Sequence, residues 1–105
     1  MGKSAFWEAV GTNVDQTLAA YRTRTLPELA ALIAENVEAK INVRGVHLQM
    51  TSWAANEVDG SIGVIVEARR KWPLGISQVH TRGFYKYADG RIVDMQDKDY
   101  WAHGY

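Results

Sequence analysis

The chain opens with apolar residues at steps of three and four. Phe6, Val10, Val14, Leu18 and Tyr21 share one stripe, with Trp7 beside it, which predicts an amphipathic helix over roughly residues 5–22. Ser4 stands where an N-cap belongs, and Gly11 works against the helix, since an interior glycine costs about 1 kcal/mol relative to alanine. A second start signal follows at Thr25-Leu26-Pro27-Glu28. Threonine three residues before glutamate is a capping box, and proline is tolerated in a first turn whose amides have no partner. Leu26, Leu29, Ile33 and Val37 continue the apolar face, so this helix ends near Asn36 or runs on to Lys40.

Beyond that point the period changes to two. Val46-His47-Leu48-Gln49-Met50 alternates apolar with polar and predicts a strand running to about Glu57. Ile62 to Trp72, Ile76 to Tyr87 and Ile92 to about Asp99 read as three more strands. They are separated by Asp59-Gly60, by Trp72-Pro73-Leu74-Gly75 and by Asp89-Gly90. Asp-Gly is a hairpin signal because glycine accepts positive φ. The expected architecture is one α+β domain over residues 1–105, with two N-terminal helices on a curved antiparallel meander of about four strands.

Two-residue loops would align the strands in a definite way. Tyr87 would face Ile92, Arg82 would face Asp97 and His80 would face Asp99. Ser52 would face Glu67, and Glu67 would in turn face His80. One sheet face would then carry a row Ser52, Glu67, His80, Asp99 beside Arg82 and Asp97. A histidine between carboxylates could act as a general acid or hold an anion. A slip of one residue in any turn would dissolve the row. Both faces hold many apolar residues, whereas a sheet with one wet face alternates cleanly. Two helices can cover one face, so the other is expected to meet a second subunit, the alternative being that the helices leave a partly open cavity.

Composition narrows the chemistry. Lys+Arg and Asp+Glu are both 12, giving zero net charge, against nucleic acid as the main partner. Arg69-Arg70-Lys71-Trp72 would be a stacking and charge patch, but strand alternation sends Arg70 to the face opposite Arg69 and Lys71. There is no cysteine, so thiolate chemistry and disulfides are excluded. His47, His80 and His103 lack metal-site spacing, and no cofactor is implied. No apolar run approaches the roughly 20 residues a bilayer requires, no signal peptide is evident, and a cytoplasmic location is the expectation.

Tyr85-Lys86-Tyr87-Ala88-Asp89-Gly90-Arg91-Ile92-Val93, followed by Asp97, resembles the closing hairpin of the SnoaL-like polyketide cyclase group. That group lies within the nuclear transport factor two-like, cystatin-like superfamily. The stretch from Thr17 to Glu38 is similar to the family's opening helix pair and "Asn-Val-Glu" first strand. The resemblance implies a cone-like sheet around an apolar pocket, frequent dimerisation through the outer sheet face, and a pocket aspartate at Asp97. It departs at Gln96, where an aromatic residue is common. It departs again between Val43 and Val46, where the usual third helix has no room.

Two readings follow. The first is a small-molecule pocket protein, an acid/base isomerase, cyclase or hydrolase or a binder of an apolar ligand. Asp97 and His80 would handle protons, Arg82 and Glu67 would bind ligand, and Trp53, Phe84 and Tyr85 would form the walls. The second is a non-enzymatic interaction module acting as a homodimer through the sheet face, with the aromatic tail from Tyr100 to Tyr105 packed on its partner. The residues alone leave the choice open.

Overall fold

A computed structural model describes residues 2–71, 73–75, 77–96 and 98–99, apart from the side chains of residues 2–4 and 73. Its elements run α1 (Gly2–Arg22), α2 (Leu26–Ala34), β1 (Val37–Val43), β2 (Val46–Asn56), β3 (Ile62–Lys71), a single 3₁₀ turn (Pro73–Gly75), β4 (Ser77–Lys86) and β5 (Ile92–Asp94). The five strands form one antiparallel meander in the order β1-β2-β3-β4-β5, with both helices on one side. The expected α+β plan is present, with one strand more than the four marked by alternation.

α1 forms because its apolar stripe meets the sheet. Phe6, Val10, Val14 and Leu18 are all buried. The helix starts at Gly2, so Ser4 lies within it and does not cap it. Its far end is held by Lys86, whose ammonium donates to the carbonyls of Arg24 at 2.6 Å and Arg22 at 3.3 Å. Those are last-turn and exit carbonyls without helical partners, and a cation there also suits the helix dipole. α2 begins as its capping box predicts. Thr25 Oγ1 accepts from the Glu28 amide, and the Glu28 carboxylate accepts from the Thr25 amide at 3.0 Å. That bond from the Thr25 amide is the main reason the Glu28 carboxyl is held below its ordinary pKa.

The core lies between α1, α2 and the inner sheet face. Leu48, Met50, Ala54, Ile62, Val64, Val66, Ala68 and Phe84 all belong to it. β3 runs through the centre and is buried on both faces over most of its length. Ile65 on the outer face is 1% exposed. Met95 packs there across Gly63 and Gly83, which have no side chains to obstruct it.

The loops correct the expected register. Gly60 N–H donates to the Glu57 carbonyl at 3.1 Å, and Glu57 N–H donates to Ser61 O at 2.9 Å. Tyr87, Gly90 and Arg91 repeat the pattern, with both bonds at 2.9 Å. Each Asp-Gly therefore ends a three-residue loop, a type I turn closed by a left-handed glycine, at φ +86° for Gly60 and +88° for Gly90. Neither aspartate has positive φ. Asp59 Oδ1 accepts from Ser61 N–H at 3.0 Å and Asp89 Oδ1 from Arg91 N–H at 2.9 Å, the local side-chain bond that aspartate supplies in turns. The loop between β3 and β4 is also longer than two residues, because Lys71 pairs with Ser77. Every hairpin with an expected register is thus offset by one. Ser52 pairs with Val66, Glu67 with Thr81, His80 with Ala68 and Phe84 with Asp94.

The two-residue type I′ turn occurs elsewhere, at Arg44-Gly45, with φ +50° and +82°. It joins β1 to β2 over seven unbroken pairs, from Val37 opposite Ser52 to Val43 opposite Val46.

Candidate functional site

The corrected register dissolves the expected row. A one-residue offset sends side chains to opposite faces. Ser52 and His80 stay on the inner face, while Glu67 moves to the outer one, between Thr51 and Thr81. There Glu67 is nearly buried and forms an ion pair with Arg69 at 2.5 Å. Arg70, on the inner face, lies over the Phe6 ring at 5.3 Å. The basic run is therefore divided between the two faces, as strand alternation requires.

The other predicted wall residues also separate. Phe84 is fully buried under α1, with the Arg22 guanidinium 5.7 Å from its ring centroid, so it belongs to the core. Trp53 and Tyr85 lie on the outer face, opposite Ile65 and Gly63. Burial, followed by the neighbouring Asp99 carboxylate, pushes the Tyr85 phenol up to about 12, so it stays protonated at any physiological pH. Asp99 itself accepts from the Gln96 amide at 2.8 Å. Asp97 and the aromatic tail lie outside the described residues.

His80 and Arg82 do come together, side by side on the inner face of β4, where α1 crosses it. A groove of about 600 Å³ runs between them and one flank of the helix, lined there by Trp7, Glu8, Gly11, Thr12 and Asp15. These positions follow one another at steps of one and three, so they form a single helical flank. Gly11 now has a packing reason: a Cβ there would stand 3.3 Å from His80 Cε1 and Nε2. The glycine that weakens the helix lets the imidazole lie close against it.

The groove is polar on both walls. Burial lowers the His80 pKa, Arg82 lowers it further, and Asp15 opposes them. The imidazole is therefore neutral at pH 7 and offers a ring nitrogen as an acceptor. Arg82 Nη1 donates to the Thr81 carbonyl at 3.0 Å and is otherwise exposed to the groove. Past Asp15 and Arg82 the groove continues into a space of about 520 Å³ that reaches Arg22, Asp94 and Met95. There Arg22 and Asp94 form an ion pair at 2.5 Å. Both spaces open to solvent.

On the other flank of α1, a cleft of about 320 Å³ lies against β1 and β2. Val37, Ala39, Ile41 and Met50 contribute its apolar side, and Asn13, Gln16, Thr17, Tyr21 and Ser52 its polar groups. It carries no charge. Among the described residues, no group of three or more histidine, aspartate or glutamate side chains converges to hold a metal ion. Among the same residues, no helix is long and apolar enough to cross a membrane.

Alternation alone did not reveal Asp15, Glu8 and Thr12, because a helix flank only becomes a wall once a strand lies beside it. The available signal was their shared flank with Trp7 and Gly11. Comparison with protein-family models, with curated proteins and with solved structures returned no match.

Proposed function

We propose that this chain is a small-molecule binding protein whose ligand lies in the groove between α1 and β4. The single observation that carries the reading is the placement of His80 and Arg82 across from Glu8 and Asp15 in a space of about 600 Å³. Pockets of this size suit compact organic ligands, and a few convergent polar groups fix their orientation. The SnoaL-like resemblance supports a pocket protein in general terms. The groove's walls, however, favour a ligand with polar groups of both signs over a purely apolar one. Trp7 offers a ring face, Arg82 a site for a carboxylate or phosphate oxygen, and Asp15 and Glu8 a site for an amine or hydroxyl. His80, neutral at pH 7, is the residue equipped to accept a proton if the bound molecule reacts.

A fragment screen by two-dimensional NMR tests this. Fragments bearing both a carboxylate and an amine on an aromatic ring should shift the Trp7 indole, the Gly11 amide and the His80 ring together and saturably. Arg82→Gln and Asp15→Asn should each weaken that response. If such fragments leave these signals in place, or perturb only the uncharged cleft beside β1, the groove is not a binding site.

A further inference from the structure

We infer that β1 is a homodimerisation edge, and that two copies of this chain pair their β1 strands antiparallel about a two-fold axis through Ala39. β1 is terminal in the sheet order, and Glu38, Ala39 and Lys40 are exposed. The orientation of its backbone follows from its hairpin. A two-residue turn makes Val43 and Val46 a hydrogen-bonded pair, and such pairs alternate along an antiparallel ladder. Val37, Ala39 and Ile41 therefore direct their amides and carbonyls to β2. Glu38, Lys40 and Asn42 direct theirs to the free edge.

Self-pairing must join outward-directed residues to outward-directed residues, which allows registers centred on Glu38, Ala39, Lys40 or Ile41, the last setting Lys40 opposite the uncharged Asn42. Centring on Glu38 would set Glu38 against its own copy. Centring on Lys40 would set two lysines together. Centring on Ala39 sets Glu38 opposite Lys40 twice, and on the other face sets Val37 opposite Ile41 twice. Opposite charges across a strand pair are favourable, and like charges directly opposite are not. Of these registers, the Ala39-centred one sets opposite charges against each other within the strand, and Val37 is a large apolar side chain left 47% exposed in the single chain.

Protected edges carry prolines, bulges, inward-pointing charges or lysines. β1 has no proline or bulge, its seven pairs with β2 are unbroken and its charges point to the outer face, and its one lysine, Lys40, meets Glu38 of the other copy in the Ala39-centred register. The uncharged cleft, lined on this side by Val37, Ala39 and Ile41, borders the seam. The occupant that fits the edge is therefore a second copy, giving an isologous contact and a continuous ten-stranded sheet with both helix layers on one side. One strand pair buries less than the roughly 1,200 Å² of a standard stable interface, so the dimer is concentration-dependent.

The test is a charge-swap complementation followed by sedimentation. The wild-type chain should shift from monomer to dimer as concentration rises. Lys40→Glu and Glu38→Lys each place like charges opposite one another twice, and each should weaken self-association at least about tenfold. An equimolar mixture of the two should recover dimerisation, because each Glu then meets a Lys of the other chain. As the dimer forms, amide exchange should slow at Glu38 and Lys40 more than at Ala39. Both positions are exposed, so the variants keep the fold, which circular dichroism verifies. A wild-type chain that stays monomeric at all concentrations overturns the inference. So does dimerisation of both single variants at wild-type strength, which would place the contact elsewhere, or a mixture that stays monomeric.

Discussion

Gly83→Ala is expected to destabilise the fold markedly, whereas Gly63→Ala is not. Both glycines lie on the outer sheet face beneath Met95. A Cβ at Gly83 would stand 2.7 Å from the Val64 carbonyl oxygen, 2.7 Å from Met95 Sδ and 3.2 Å from Ile65 Cγ1. Ordinary contact starts at 3.4 Å, so the backbone of β3 would have to retreat by about 0.7 Å. A Cβ at Gly63 would also come close, 2.7 Å from Glu57 Oε1 and 3.0 Å from Met95 Cε, but those are the ends of flexible side chains. Forcing an extra carbon into a packed site costs about 1–3 kcal/mol. Removing a glycine from a strand returns about 0.5–1 kcal/mol through the unfolded chain. The balance for Gly83→Ala is a loss of about 1–2 kcal/mol, and that for Gly63→Ala is near zero. Urea denaturation followed by tryptophan fluorescence measures both, and a thermal midpoint lower by roughly 4–15 °C should accompany the first. Equal stability of the two variants, or a larger loss for Gly63→Ala, would show that the approach of β3 to β4 is looser than the geometry describes.

Three further outcomes follow from named contacts. The folded His80 pKa lies below that of the unfolded chain, so between the two values the unfolded state binds the extra proton, and stability falls as pH drops through that window. Thermal unfolding in steps from pH 8 down to pH 5 should show this slope, and His80→Gln should flatten it. Thr25→Ala removes the acceptor of the capping box and should cost about 1 kcal/mol in chemical denaturation, whereas Thr25→Ser should cost much less. Because β1 and β4 are separated by two strands, Lys40→Glu should leave fragment-induced shifts at His80 and Gly11 unchanged in NMR titrations, while Arg82→Gln should leave sedimentation unchanged.

Much of this fold was legible because it rests on local signals. The Thr25–Glu28 box marks α2 within one residue, and the Phe6-Val10-Val14-Leu18 stripe is the face that α1 buries. Alternation marks β2 and β3. Register was not legible, and the reason lies in one residue type. Asp-Gly suits the two central positions of a type I′ turn, and it equally suits the last two of a three-residue loop. The choice depends on whether aspartate itself takes positive φ. At Asp59 and Asp89 the carboxylate instead accepts from the amide two residues on, which holds the aspartate in the ordinary region and adds one residue to each loop. The true type I′ turn was hidden by an arginine at its first position, an uncommon choice for positive φ. This also concealed β1 from the reading of periodicity, and only the resemblance at Asn36-Val37-Glu38 pointed to a strand there. His80 and Arg82 remained together because residues two apart on one strand share a face in any register, whereas every expected cross-strand partner was lost.

Those two facts bear on where chemistry can occur. The resemblance implies an enclosed pocket between helix and sheet. Instead, α1 lies directly on β3 and β4, and Val10, Val14, Val64, Val66 and Phe84 fill the space between them to full burial. The sheet is thus packed where a cone would be hollow, and among the described residues there is room for a ligand along the two flanks of the helix. The flanks differ because each faces a different strand. β4 supplies His80 and Arg82 to one, and β1 supplies Val37, Ala39 and Ile41 to the other. Asp15 and Gln16 are neighbours in sequence yet line opposite flanks, so α1 alone separates a charged groove from an uncharged cleft. A shift of α1 across the sheet would widen one space and narrow the other. Gly11 against His80 and Lys86 at the helix end oppose that shift at two points 11 residues or more apart along α1, which makes the groove a fixed feature of the fold.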